Sequence, residues 1–167
     1  GLPEKAAQTT GTIAIAKWGR VTMLSPRAMA HGFPWADSLM HELTHLAVTR
    51  ASADRAPLWL QEGVAKREEM LWREAMPFDA QQSPDAQALL GFRKNLAIPL
   101  DALGPSLAML PSADQAAVAY AEVQSFVGYW ITQNGADALP RLLTTLATEP
   151  GQDAVDAAMR SVSKLSL

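Results

Sequence analysis

His41-Glu42-Leu43-Thr44-His45 is the stretch whose reading decides this chain. On an α-helix, residues four apart lie about 40° from each other on one face, so both imidazoles can reach one cation. Glu42 follows about 100° round from His41. There it stands beside the cation and can touch a bound water without being a ligand. Zinc accepts nitrogen and carboxylate ligands, and a site that performs chemistry keeps one position open for water. The plainer alternative is a pair of ordinary buried histidines. Two of only 3 histidines fall four apart, with a Glu directly after the first, and this pattern favours the metal.

The flanking residues place the motif on a helix. Pro34 suits a helix start, where its missing N–H would be unpaired anyway, and the pattern predicts a helix from Trp35 to about Ser52. Leu39, Met40, Leu43, Leu46 and Ala47 form its apolar side, with His41, Glu42, His45 and Thr49 on the neighbouring side. Ala53 to Ala56 is a break. Pro57 starts the next helix, predicted from Leu58 to about Arg73. Glu62 follows Leu58 by four and precedes Ala65 by three, on a largely apolar face. A carboxylate among apolar neighbours is costly unless paired or bound to metal. Gly63 costs about 1 kcal/mol against Ala inside a helix, which implies close approach of another backbone, expected beside the motif helix. Glu68, Glu69 and Glu74 lie in a charge-rich stretch and read as surface.

Residues 1–11 read as a loose lead-in. Thr12 to Ala16 and Arg20 to Ser25 alternate with β-branched residues around the turn Lys17-Trp18-Gly19, which predicts a hairpin ended by Pro26. His31, in the loop before Pro34, is a candidate site residue with simple exposure as the alternative. Residues 75–84 read as a loop, followed by a helix over Asp85–Asn95 and a helical turn at 99–103. Ser112 is an N-cap candidate for a long helix over Ala113–Asn134, with Gly135 at its C-terminal end. Two further helices are predicted over Asp137–Thr148 and Asp153–Ser163. Their apolar stripes are Leu139, Leu142, Leu143, Leu146 and Val155, Ala158, Met159, Val162. Trp35, Trp59 and Trp72 are candidates for a cleft wall, with core packing as the alternative.

A chain of 167 residues suits one domain and can bury a core without staples. It has no Cys, so disulfides and thiolate metal sites are excluded, while cytosol, periplasm and extracellular space all stay open. The net charge of −3 with mixed signs offers no basic patch for nucleic acid. No apolar run reaches the roughly 18 residues of a membrane span. Helix-forming residues dominate. The expected fold class is mainly α with a small N-terminal β-hairpin, that is α+β. The chain begins with Gly1, and the expectation is a single domain over 12–167 excised from a longer chain with other domains.

The motif, followed by Pro57-Leu58-Trp59-Leu60-Gln61-Glu62-Gly63, resembles the gluzincin zinc metallopeptidases, and more closely the bacterial peptidase MA-like domains. Tyr120 to Trp130 resembles their later helix with its Y-x-x-x-x-S-F-x-x-Y-L pattern, and the hairpin ending at Ser25-Pro26 resembles the strand before their metal helix. The resemblance implies a zincin-like catalytic domain with one Zn²⁺ held by His41, His45 and Glu62. It implies peptide-bond hydrolysis of a peptide or protein substrate, endopeptidase rather than aminopeptidase, with Glu42 as the base that takes a proton from the zinc water. Related peptidases hold the substrate backbone as an added strand, a role for which Arg20–Ser25 is the candidate. They also draw an oxyanion donor from a later element. No His follows the motif here, so Tyr120 and Tyr129 are the candidates; nine residues apart, they face opposite sides. Tyr120 matches the first Tyr of the pattern and is chosen, leaving Tyr129 for the core or its rim.

Thermolysin-type gluzincins carry Asp four residues after the ligand Glu, where this chain has Lys66. The outer partner of the histidines is therefore unassigned from sequence. There is also no exopeptidase motif of the G-x-M-E-N kind. The alternative function is a non-catalytic zinc-binding interaction module of a larger envelope protein. Glu42 discriminates between the two, because a structural zinc site has no use for an acid there. A bacterial envelope, periplasmic or secreted setting is the favoured location.

Overall fold

The computed structural model describes residues 13–76, 83–148 and 154–163. The expected lead-in over 1–11, Thr12 and the middle of the expected loop 75–84 lie outside these residues. Among the described residues the chain is mainly helical with one two-stranded antiparallel sheet.

Trp18 and Gly19 have φ of 53° and 70°. Paired left-handed residues make the two-residue hairpin turn whose twist suits the flanking strands. Around it β1 (Ala14–Lys17) and β2 (Arg20–Met23) pair, with Lys17 opposite Arg20 and Ala14 opposite Met23. Leu24 N–H donates to Ile13 O at 2.8 Å, so this outermost pair is hydrogen-bonded. Antiparallel ladders alternate. Ala14 and Ala16 therefore turn their N–H and C=O groups away from β2, along the outer edge of β1. Two strands alone are marginal; this hairpin packs on α1 (Trp35–Ala51).

Helix α1 stops where expected, at a pair of left-handed residues, Ala53 and Asp54, with φ of 51° and 61°. Asp54 N–H returns to Thr49 O at 2.7 Å, which satisfies one of the last carbonyls. Ser52 is fully buried; its hydroxyl donates to Val48 O and accepts from Ala56 N–H, stitching the bend into α2 (Leu58–Glu68). Helix α2 is shorter than the predicted Leu58–Arg73. After Glu68 the chain tightens into turns, and Trp72 Nε1–H and the Arg73 guanidinium both donate to the buried Asp37 carboxylate at the start of α1. That ion pair draws the chain off the helix axis.

The remaining elements are α3 (Pro84–Arg93), α4 (Ala113–Asn134), α5 (Ala138–Thr148) and α6 (Ala154–Val162), with 3₁₀ turns over Pro26–Ala28, Leu100–Ala102 and Leu107–Met109. Two of these turns, Pro26–Ala28 and Leu107–Met109, carry no sequence signal that was read above. The Ser112 hydroxyl accepts from Gln115 N–H as an N-cap, and Gly135, with φ of 96°, ends α4. Helix α4 is the spine, with α2 packed on one side and α3 on the other. A Cβ on Gly63 would lie 2.5 Å from the carbonyl oxygen of Val123 and 2.6 Å from Val127 Cγ2. The close approach is thus to α4, not to the motif helix as expected.

One apolar cluster joins Val48, Leu60, Val64, Val127, Trp130, Leu142, Leu146, Ala158 and Val162, so the predicted stripes of α5 and α6 do face the core. A second gathers Leu107, Ala119 and Val123 with Trp59 and Tyr120. The predicted apolar side of α1 fares less well. Leu43 is 46% exposed and Ala47 is exposed, while Val48 and Ser52 are buried. The helix turns its histidine side inward, because that side meets α2.

Candidate metal centre

Helices α1 and α2 pack side by side, and the residues they bring together are His41, His45 and Glu62. His41 Nε2 lies 3.1 Å from His45 Nε2, and Glu62 Oε2 lies 3.4 Å and 3.6 Å from those two nitrogens. A tetrahedral zinc with bonds of about 2.0–2.1 Å has ligand-to-ligand edges of about 3.3 Å. The three atoms thus span one face of such a tetrahedron. Glu62 Oε2 is buried and has no hydrogen-bond partner among the described residues, which is costly for a carboxylate oxygen unless a cation meets it. The donor set fits zinc: two imidazoles and one carboxylate, with no soft ligand.

Glu69 completes the support. Its Oε2 accepts from His41 Nδ1–H at 3.1 Å, and its Oε1 accepts from Lys66 at 2.5 Å. A carboxylate can only accept, so the neutral His41 ring carries its proton on Nδ1 and aims the Nε2 lone pair at His45 and Glu62. This is the outer partner that sequence reasoning missed, and it corrects the surface reading of Glu69. The signal was present: Glu69 follows Glu62 by seven, two turns along one side. Lys66, at the position where thermolysin-type chains carry Asp, acts through Glu69. Glu68 pairs with Arg67 and Glu74 is exposed, as expected of surface residues. Glu69→Gln is expected to weaken zinc binding roughly 10–100-fold in a chelator competition, with helix content unchanged. Unchanged affinity would show that the contact does not orient the ring.

Without metal the same convergence draws a proton. Burial opposes a charge on His41, but contact with Glu62 and Glu69 outweighs it and raises the imidazole to about 9. Burial likewise works against the charge on Glu62, and the two histidines overcome it and hold the carboxyl at about 2. The proton on His41 stabilises metal-free protein fully below its ordinary value of 6.5, and that contribution is lost as pH rises towards 9. Glu62 contributes above its ordinary 4.5 and loses this as pH falls towards 2. A cation held by these residues would compete with the His41 proton. The rise in Tm on adding zinc is therefore expected to grow between about pH 6 and pH 8. A rise that stays flat or shrinks would contradict this pairing.

Glu42 lies beside the cluster. Burial pushes its carboxyl above the ordinary value, against the pull of His45, His41 and a hydrogen bond from Ala16 N–H. Ala16 N–H belongs to the outer edge of β1, so β1 borders the site, and β2 also packs on α1. Tyr120 packs at the rim of the second cluster, with Lys66 Nζ 5.9 Å from its ring centre. Burial, then the fields of Glu62, Glu42 and Glu69, push its hydroxyl well above the ordinary range. Tyr129 is on the far side of α4 and 57% exposed, so of the core or rim expected for it the core is excluded. His31 is exposed in a turn. Trp59 packs edge-on against Phe126, whereas Trp35 and Trp72 are about half exposed.

Comparison with family models, with curated proteins and with solved structures finds no match to this chain. Among the described residues no helix is long and apolar enough to cross a membrane.

Proposed function

We propose that this chain is a zinc-dependent peptide hydrolase of the gluzincin kind, with residues 12–167 forming one zincin-like catalytic domain. The observation that carries the reading is the 3.1, 3.4 and 3.6 Å triangle of His41, His45 and Glu62 with its unpartnered carboxylate oxygen. Bound there, zinc would supply Lewis acidity towards a carbonyl oxygen and a water that ionises near neutral pH.

The chain's own groups divide the remaining work. Glu42 holds a carboxylate whose pKa burial has raised, the condition for taking a proton and later returning it. Ala16 N–H fixes its orientation. The outer edge of β1 offers the Ala14 N–H and C=O and the Ala16 C=O, to which an extended peptide can add as a strand, the Ala16 N–H being held by Glu42. Tyr120 keeps its hydroxyl proton across the working pH range and is the donor for a developing oxyanion. Tyr120→Phe is expected to lower kcat by about 10–10³-fold with zinc content and KM little changed. A fall in Tm with kcat intact would leave Tyr120 a packing residue.

The test is hydrolysis of a fluorogenic peptide pool and of unfolded casein by zinc-loaded protein, with chelated protein as the control. Zinc-dependent cleavage supports the reading. Stoichiometric zinc with no cleavage of either would favour the non-catalytic binding module.

A further inference from the structure

Helix α3 carries Asp85, Gln87 and Arg93 as its only polar side chains. A helix that is apolar nearly all round is normally buried. This one buries only Ala88 and Gly91; Gly91 sits against α4, where a Cβ would run into the Val118 side chain. The larger apolar residues are left outside. Leu89 is 52% exposed, Phe92 is 64% exposed and Leu90 is half exposed. Phe92 also walls an apolar groove between α3 and α4, together with Phe126 and the half-exposed Tyr129. Leu89, Leu90, Phe92 and Tyr129 leave on the order of 400 Å² of side chain in water, enough to mark an interaction surface.

The charges on this helix say what fits the surface. Asp85, Leu89 and Arg93 recur every four residues and lie within about 80° of one another on one stripe. All three are exposed. The Ser125 hydroxyl donates to Asp85 Oδ1 at 2.6 Å and steadies the carboxylate. Phe92 lies about 60° to one side of Leu89 and Leu90 about 100° to the other. An exposed apolar centre thus has an acid four residues before it and a base four residues after it, each about 6 Å along the axis. When a second α3 lies antiparallel with the two Leu89 side chains level, Asp85 of each copy falls opposite Arg93 of the other. In the parallel arrangement like charges would meet at both ends. Ala86, small and exposed on the same side, lets the two helices approach.

We propose that this face pairs with itself: α3 packs antiparallel on α3 of a second copy of this chain, about a two-fold axis level with Leu89. A two-fold interface uses the same patch on both copies, and this patch is complementary to itself in apolar centre and in charge. The exposed area is about half of the roughly 800 Å² per partner that a stable dimer buries. The dimer is therefore a weak one that forms at micromolar concentrations. The face lies across α4 from α2 and does not depend on the zinc reading.

The test is sedimentation velocity of the 167-residue chain at concentrations from about 1 to 500 μM. A monomer–dimer equilibrium is expected, half dimer at about 10–100 μM. Leu89→Lys, which sets two charges at the apolar centre, is expected to weaken it at least about ten-fold. Asp85→Arg alone and Arg93→Asp alone each place like charges opposite one another and are expected to stay monomeric, with helix content by circular dichroism unchanged. Mixed in equal amounts, the two variants are expected to associate again, because each charge on one copy then meets its opposite on the other. A wild-type chain that is monomeric throughout the range overturns the proposal without recourse to any variant and leaves the face to an unlike partner. So does a dimer that survives Leu89→Lys, or a mixture that associates no better than its two components.

Discussion

Glu42→Gln is expected to keep its zinc and lose peptide hydrolysis by about 10²–10⁴-fold, the usual worth of a positioned acid–base group. The substitution preserves size and removes only the ability to take a proton. Glu42 is not among the three groups whose ligand atoms converge, so metal affinity has no reason to fall. Its neighbours argue for a working acid rather than a structural one. Burial raises its carboxyl above the ordinary value against the pull of the two histidines and the Ala16 N–H. The measurement is zinc content by mass spectrometry beside kcat/KM on one peptide. Full activity in the variant would remove Glu42 from the chemistry.

Glu62→Gln is expected to cost more than the roughly 100-fold in zinc affinity that loss of an outer partner costs, and to take hydrolysis with it. The carboxylate is the only anionic donor in the triangle, and its buried oxygen has no other partner among the described residues. Equilibrium dialysis against a zinc chelator reads the affinity, and circular dichroism checks that the helices remain. Stoichiometric zinc in Glu62→Gln would place the ion on other groups.

The sequence disclosed those parts of the site that sit on one helix. His41 and His45 are neighbours by helical spacing alone, and Glu42 takes its place from the same geometry. The helices of the C-terminal half were legible because Leu142, Leu146, Ala158 and Val162 repeat at core spacing and are buried. What stayed hidden depends on which surfaces meet. Glu69 reads as one more charge in a charged stretch until α2 lies against α1 and brings its carboxylate to His41. Gly63 advertises a close approach but not the identity of its neighbour, α4. Leu43 follows the apolar stripe of α1 yet is half exposed, because the inward side of that helix carries the histidines. The end of α2 was misplaced because Asp37, far upstream, captures Trp72 and Arg73.

The most direct measurement is anomalous diffraction at the zinc edge from crystals grown with zinc. One peak per chain is predicted, about 2.0–2.2 Å from His41 Nε2, His45 Nε2 and Glu62 Oε2, with Glu69 still on His41 Nδ1 and a fourth position facing Glu42. A peak held by other residues, with Glu62 turned to solvent, would contradict the account.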